Sequence, residues 1–280
     1  MQETVLDFDE ESAKSDDQEL KVATRHQMKG YITHLSRYIH DGRGMIQASQ
    51  PRQGVSQFLL PSEVLTALQS WVSSPVSRTI WVQGAISTSH GSTLSRAALR
   101  LPQIILDSGL PCVSFFCKPL FEFPTTSPRL MTRQQKALVA FMYSVVAQLV
   151  HLLPHEIEME ATGSLSEEEF SLLDGTFDSI PAALRIIDGL LAQAPPTIIW
   201  VVDGLHLMES LETKLHLERV LQILRDEANK RVTKVCFTTD GNSAVLGRGL
   251  DSKEKIDAGR TVQGRAGKLL RGGGLVNSLR

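Results

Sequence analysis

The stretch Thr197–His206 reads Thr-Ile-Ile-Trp-Val-Val-Asp-Gly-Leu-His, an apolar run that stops on an acid followed by glycine. A strand apolar on both faces belongs inside a parallel sheet that is covered by helices on each side. The acid at its carboxyl end, Asp203, then lies at the sheet edge where α/β proteins bind their ligands. A carboxylate there can hold a hard divalent cation, and through it a phosphate. Whether it does so depends on the other groups such a site needs.

A phosphate-binding loop of the form Gly-x-x-x-x-Gly-Lys-Ser/Thr wraps phosphates with backbone N–H groups, reaches them with its lysine and binds magnesium with its hydroxyl. Here the strand at 79–83 leads into Gly84-Ala-Ile-Ser-Thr-Ser-His-Gly91-Ser92-Thr93. Anchored on Gly84, the pattern puts His90 in the lysine position. Anchored on Gly91, it puts Ser92 there and makes Thr93 the hydroxyl, in a loop two residues too long. Neither alignment supplies the cation, and Arg96 lies a helical turn further on, directed away from the loop. One well-placed cation on a phosphate is worth roughly 1.5–3 kcal/mol and contributes strongly to phosphoryl transfer. The helix N-terminus at Ser92 still offers free N–H groups to an anion.

The phosphate candidates are therefore Gly84, Gly91, Ser92 and Thr93, with Thr93 and Asp203 as the metal pair. No catalytic residue is assigned. No resident cofactor is expected beyond weak ATP with magnesium. Asp203 has a second reading, as a strand-ending acid that caps the turn at Gly204. His206 stands where a second acid would polarise water, and as histidine it could act as a base. The strand Lys234–Thr239 ends in Thr238, Thr239 and Asp240 at the same edge, which brings hydroxyls and a further negative charge but no cation.

Other chemistries are poorly supported. His151 and His155 are four apart, but Pro154 interrupts the helix and Leu152 replaces the glutamate of a zinc protease motif. No Gly-x-Ser-x-Gly elbow occurs. The three cysteines, Cys112, Cys117 and Cys236, have no metal-ligand spacing and read as buried, reduced thiols. A net charge of −2 gives no whole-chain argument for nucleic acid or membrane. No stretch reads as a membrane helix, and the acidic amino terminus does not resemble a targeting segment. The cytoplasm, or else the nucleus, is the expected compartment. Arg260, Arg265, Lys268 and Arg271 among glycines could touch RNA, although such an end is more often simply solvated.

These residues need elements to position them. Residues 1–18 are acidic and expected to be disordered. Val22, Met28, Tyr31, Ile32, Leu35, Tyr38 and Ile39 predict one amphipathic helix over 19–40, with a linker after it to about residue 58. That helix either packs on the domain or projects to meet a protein partner, and an oligomer is possible. A helix follows Pro61-Ser62. Strands are predicted at 79–83, 111–118, 197–202 and 234–239. Helices are predicted at 92–107, where Pro102 should kink or split the helix, at 132–153, after Ser179 as N-cap, and at about 210–230. Strands alternating with helices imply a parallel, doubly wound sheet. The fold expected is α/β, a three-layer αβα sandwich spanning 59–247, with a Gly- and Arg-rich disordered tail over 248–280.

Taken together, Thr-Ile-Trp-Val-Gln-Gly, Val-Ser-Phe-Phe-Cys, Leu-Leu-Asp-Gly-Thr, Trp-Val-Val-Asp-Gly-Leu and Val-Cys-Phe-Thr-Thr-Asp-Gly resemble the degenerate P-loop modules of large fungal proteins related to the STAND/NACHT ATPases. The resemblance covers roughly residues 60–247. It implies phosphate-loop roles for Gly84, Gly91 and Thr93 and a magnesium role for Asp203, with no counterpart for the lysine, the second acid or the sensor cation. The leading expectation is a non-catalytic interaction or scaffold module, a pseudo-ATPase. Its rivals are a nucleotide-dependent switch and a nucleic-acid-associated protein acting through its tail.

Overall fold

The computed structural model describes residues 21–49, 60–87, 91–118, 131–159 and 164–259. The acidic segment 1–18 and the basic tail residues from 260 onward lie outside them.

The chain opens with β1 (Lys21–Thr24), α1 (Arg25–Tyr31), a 3-10 turn over Thr33–Tyr38 and α2 (Arg43–Ala48). The single helix expected over 19–40 is thus replaced by a strand and two short helical pieces. Thr24 forms a capping box with Gln27, so the helix starts there and leaves Val22 in the strand. Beyond Tyr31, the Thr33 hydroxyl donates to the Lys29 carbonyl and the Ser36 hydroxyl to the Thr33 carbonyl, each at 3.1 Å. Such bonds compete with the helical ladder and tighten it. Nor does this segment stand apart. Met28 and Leu35 are fully buried in the main core, so the apolar face proposed for a partner is already used internally. Part of the expected linker is α2, whose Ile46 is also fully buried.

The body continues with α3 (Ser62–Ser73), β2 (Arg78–Gly84), α4 (Thr93–Asp107), β3 (Cys112–Phe116), α5 (Arg133–Leu152), β4 (Glu156–Met159), α6 (Glu167–Ser171), α7 (Ile180–Ala192), β5 (Thr197–Asp203), α8 (Lys214–Lys230), β6 (Val232–Asp240), α9 (Ala244–Gly249) and β7 (Lys255–Asp257). Pro102 sits buried inside α4 without dividing it. Ser179 precedes α7, but its hydroxyl bonds Tyr143 and the Thr176 carbonyl instead of capping the helix. The helix predicted from about 210 starts at Lys214, because Thr213 and Ser210 bond each other in a turn before it.

Five strands form one parallel sheet in the order β3-β5-β6-β2-β7, while β1 and β4 make a separate antiparallel pair. Alternation along the strands divides the core into two. Val113, Phe115, Trp200, Val202, Val235 and Phe237 face α5, α7 and α8. Ile80, Val82, Phe116, Ile199, Val201 and Cys236 face the α3 and α4 side. The result is the expected three-layer αβα sandwich. Its boundary moves, however: β7 pairs with β2 from Trp81↔Lys255 to Gln83↔Asp257. The fold therefore extends at least to Asp257, past the predicted limit of 247. A three-residue edge strand, held partly by Lys255 lying 4.5 Å over the Trp81 ring, has too little apolar pattern to announce itself.

Among the described residues, α5 alone is long and apolar enough to cross a membrane by length and composition. Its run Leu138–Val146 is wholly buried in the domain core. All three cysteines are unpaired and buried.

Candidate functional site

Parallel register fixes what meets at the carboxyl edge of the sheet. Phe116 pairs with Asp203, Asp203 with Thr238, Val82 with Thr238 and Gly84 with Asp240. The chain leaving β3 passes through Cys117 to Lys118, directly alongside the end of β5. Backbone bonds hold this corner: Cys117 N–H donates to the Asp203 carbonyl and Gly204 N–H to the Thr238 carbonyl, both at 2.8 Å. Gly204 has a φ of +80°, and a Cβ there would lie 2.4 Å from the Cys117 carbonyl oxygen. Glycine is needed at this turn for its left-handed backbone and for the close approach of the neighbouring strand.

The side chains at this corner form a buried ionic cluster. The Lys118 ammonium lies 2.9 Å from Asp203 Oδ2 and 4.0 Å from Asp240 Oδ2, and it donates to Ser95 Oγ at 2.6 Å. The two side chains of the closer pair are 3% and 1% exposed. Asp203 Oδ1 accepts from the Thr238 hydroxyl at 2.6 Å. Asp203 Oδ2 has no aligned hydrogen-bond donor among the described residues, so the nearby ammonium is its compensation. Among the described residues neither Asp203 oxygen accepts from a backbone amide of the Gly204 turn. Asp203 is an ion-pair residue.

The missing cation is therefore present in space although absent from the loop. Lys118 reaches the first turn of α4 from a different strand, which corrects the expectation that the site holds no basic group. Thr93, expected as the metal hydroxyl, is exposed, and the hydroxyl in contact with the ammonium is Ser95, which is completely buried. Ser92 does cap α4, accepting from the Ser95 amide at 3.0 Å. Arg96 does not point away: its Nε donates to the Gly91 carbonyl at 2.7 Å and braces the loop end.

Gly84 and Gly91 have structural reasons of their own. A Cβ on Gly84 would meet Leu94 at 3.2 Å and Asp240 Oδ1 at 3.5 Å. A Cβ on Gly91 would fall 1.7 Å from Ser49 Oγ, because the end of α2 abuts the loop. Gly42, just before α2, presses on the Lys118 stem: a Cβ there would lie 2.5 Å from Lys118 Cγ. The amino-terminal segment thus packs against both Gly91 and the Lys118 stem. His90 lies outside the described residues.

Electrostatics also disfavour an anion. Two carboxylates share one ammonium, and burial raises Asp240 above its ordinary 3.8, against the lowering by Ser92, Lys118 and Ser95. His206 is held below its ordinary 6.5 chiefly by burial, with Lys118 adding and Asp203 opposing. Its Nδ1 has no hydrogen-bond partner among the described residues. Burial likewise pushes the Cys117 thiol up to about 12, which leaves it unreactive. Ser95 and Lys118 resemble a serine–lysine nucleophile pair, but the serine is inaccessible and the lysine is committed to Asp203.

A magnesium-bound nucleotide does not fit these residues: the Asp203 oxygen left over by Thr238 lies against an ammonium, Thr93 is exposed and Gly91 is packed against Ser49. Sequence reasoning missed Lys118 because it sought the cation at a fixed spacing along one loop. The available signal was a lysine closing a mostly apolar strand, at the same sheet edge as Asp203 and Asp240. Compared with protein-family models, curated proteins and solved structures, the chain matches none.

Proposed function

We propose that this chain is a non-catalytic interaction or scaffold module built on a P-loop-like architecture, working in the cytoplasm or nucleus and serving a protein partner. One observation carries this reading: the acid that would hold a nucleotide's metal is neutralised internally by Lys118 at 2.9 Å. A buried charge pair of this kind resists being broken, since leaving either partner alone costs about 3–5 kcal/mol. A phosphate entering the site would have to separate that pair and approach two carboxylates.

The test is titration of the full chain with a fluorescent ATP analogue and magnesium, alongside Asp203→Ala. The reading expects no saturable binding by the wild type up to about 1 mM, equivalent to about −4 kcal/mol. Micromolar affinity lost on Asp203→Ala would overturn it. That outcome would favour the rival reading, a nucleotide-dependent switch. One feature supports the rival: Lys118 touches Ser95 in the first turn of α4, beside the helix N-terminus that would receive a phosphate.

A further inference from the structure

The conflict between a nucleotide-bound metal and the residues at the sheet edge has a definite form, because the position of the cation is already filled. We propose that the Lys118 ammonium is a built-in substitute for a divalent cation at Asp203, and that removing its charge unmasks a hard-metal site made by Asp203, Asp240 and Ser95, with Thr238 orienting Asp203. The inference deepens the reading of the site as internally closed and rests on it.

Four observations support it. The ammonium sits within 4.0 Å of an oxygen from each of two acids carried by adjacent strands. A buried hydroxyl, Ser95 Oγ, completes its contacts at 2.6 Å. Thr238 holds the second oxygen of Asp203, fixing the carboxylate's orientation as second-layer hydrogen bonds do for metal ligands. Finally, Asp203 Oδ2 is buried with no aligned donor among the described residues, an oxygen compensated by charge alone. The oxygens that meet the ammonium come from carboxylates and a hydroxyl, a set suited to magnesium, calcium or manganese more than to zinc.

The lysine reaches this point from β3, with its stem pressed by Gly42, so the charge is delivered by the fold and not drawn from solvent. Truncation to alanine removes the ammonium and three methylenes. The vacated space then lies among the same oxygens, and their uncompensated negative charge gives a cation the reason to enter.

The experiment uses the full chain, wild type, Lys118→Ala and Lys118→Ala/Asp203→Asn, melted over a range of Mn2+ and Ca2+ concentrations, with Mn2+ binding followed in parallel by electron paramagnetic resonance. The expected result is a midpoint that rises with metal only in Lys118→Ala, by about 5–10 °C at a hundred-fold excess over the dissociation constant. The rise should disappear in the double variant. No response of Lys118→Ala up to about 10 mM, beyond the range of even loose protein calcium sites, overturns the proposal. So does an equal response of the wild type or of the double variant. If Lys118→Ala does not fold alone, refolding with and without Mn2+ decides the matter: recovery with Mn2+ supports the site, and failure while the double variant folds refutes it. Nucleotide binding by the wild type would sink the closed-site reading whatever the metal does, whereas a flat metal titration sinks this inference alone.

Discussion

Asp203 and Glu227 are each 1% exposed and each face a basic side chain, yet they are built in opposite ways. Glu227 lies at the amino-end side of the sheet and finds its partners on its own helix and just beyond it. Arg231 Nε is 2.7 Å away and Lys230 Nζ 2.9 Å away, at spacings of four and three residues. Arg231 also donates to the Ala194 and Pro195 carbonyls, so this pair fastens the end of α8 to the entry of β5. Asp203 lies at the carboxyl end, and its partner arrives from another strand. Its cluster draws on β5, β6, α4 and the exit of β3. The first pair closes locally at the rim, where Arg231 keeps 10% of its side chain in solvent. The second is sealed inside, at the edge where this architecture binds ligands. Burying a lysine there costs several kcal/mol of desolvation, and nothing in sheet packing requires it. The difference separates a fastening from a stopper.

Lys118→Ala should break that contrast hardest. It leaves Asp203 and Asp240 buried together, and loss of one partner of a sealed pair costs about 3–5 kcal/mol. Urea unfolding checks this against Arg231→Ala, whose expected loss is smaller, about 1–3 kcal/mol, because Glu227 keeps Lys230 as a partner at 2.9 Å. Equal losses would erase the distinction. Lys118→Met combined with Asp203→Asn should regain much of the stability lost by Lys118→Ala, since the more deeply buried of the two carboxylates no longer carries a stranded charge. Next in size is Gly204→Ala. A left-handed alanine costs about 1–2 kcal/mol, and the contact with the Cys117 carbonyl adds to it and displaces the strand that carries Lys118. The same denaturation series, with the shift of midpoint as readout, tests it.

How far these two regions could be read in advance differs for a physical reason. The run at 197–203 is long and apolar, and that at 232–240 carries Val235, Cys236 and Phe237 at its centre among β-favouring threonines, so sequence pattern places both strands and therefore Asp203 and Asp240 at one edge. The helix α5 is equally plain, with its capping box at Thr132 and Gln135. The segment 21–48 is not, because its helical spacing survives while hydroxyl bonds from Thr33 and Ser36 divert the backbone. The strand β7 is three residues long and gains its place from pairing with β2, a property of the assembled sheet. Lys118 illustrates the same limit. A motif records spacing along one loop, whereas the cation meets Asp203 through parallel register between β3 and β5, which no local window contains.

Asp240 offers a smaller effect with a definite sign. Burial raises its folded-state pKa above 3.8, so the folded chain holds this proton more tightly than the unfolded one. Its contribution to stability is complete below about pH 3.8 and is lost as pH rises through the raised value. Asp240→Asn cannot ionise and escapes that loss. The variant's stability relative to wild type should therefore climb with pH above 3.8 and then level off, measured by urea midpoints at several pH values. A difference independent of pH would mean that Asp240 is compensated fully by Lys118, Ser92 and Ser95.

The smallest effect belongs to Lys230→Ala. Its ammonium lies as close to Glu227 as Lys118 lies to Asp203, 2.9 Å in both cases, so distance alone would rank the two lysines equally. Their surroundings do not. The Lys230 side chain is 58% exposed and that of Lys118 is 3% exposed, so water and salt screen the first and not the second. Glu227 also keeps Arg231 when Lys230 is cut back, whereas Asp203 has no second cation within an ion-pair distance among the described residues. Lys230→Ala should therefore leave the urea midpoint unmoved at both low and high salt. If it destabilises the chain as Lys118→Ala does, burial is not what sets the two sites apart, and the special standing of the carboxyl-edge lysine fails with it.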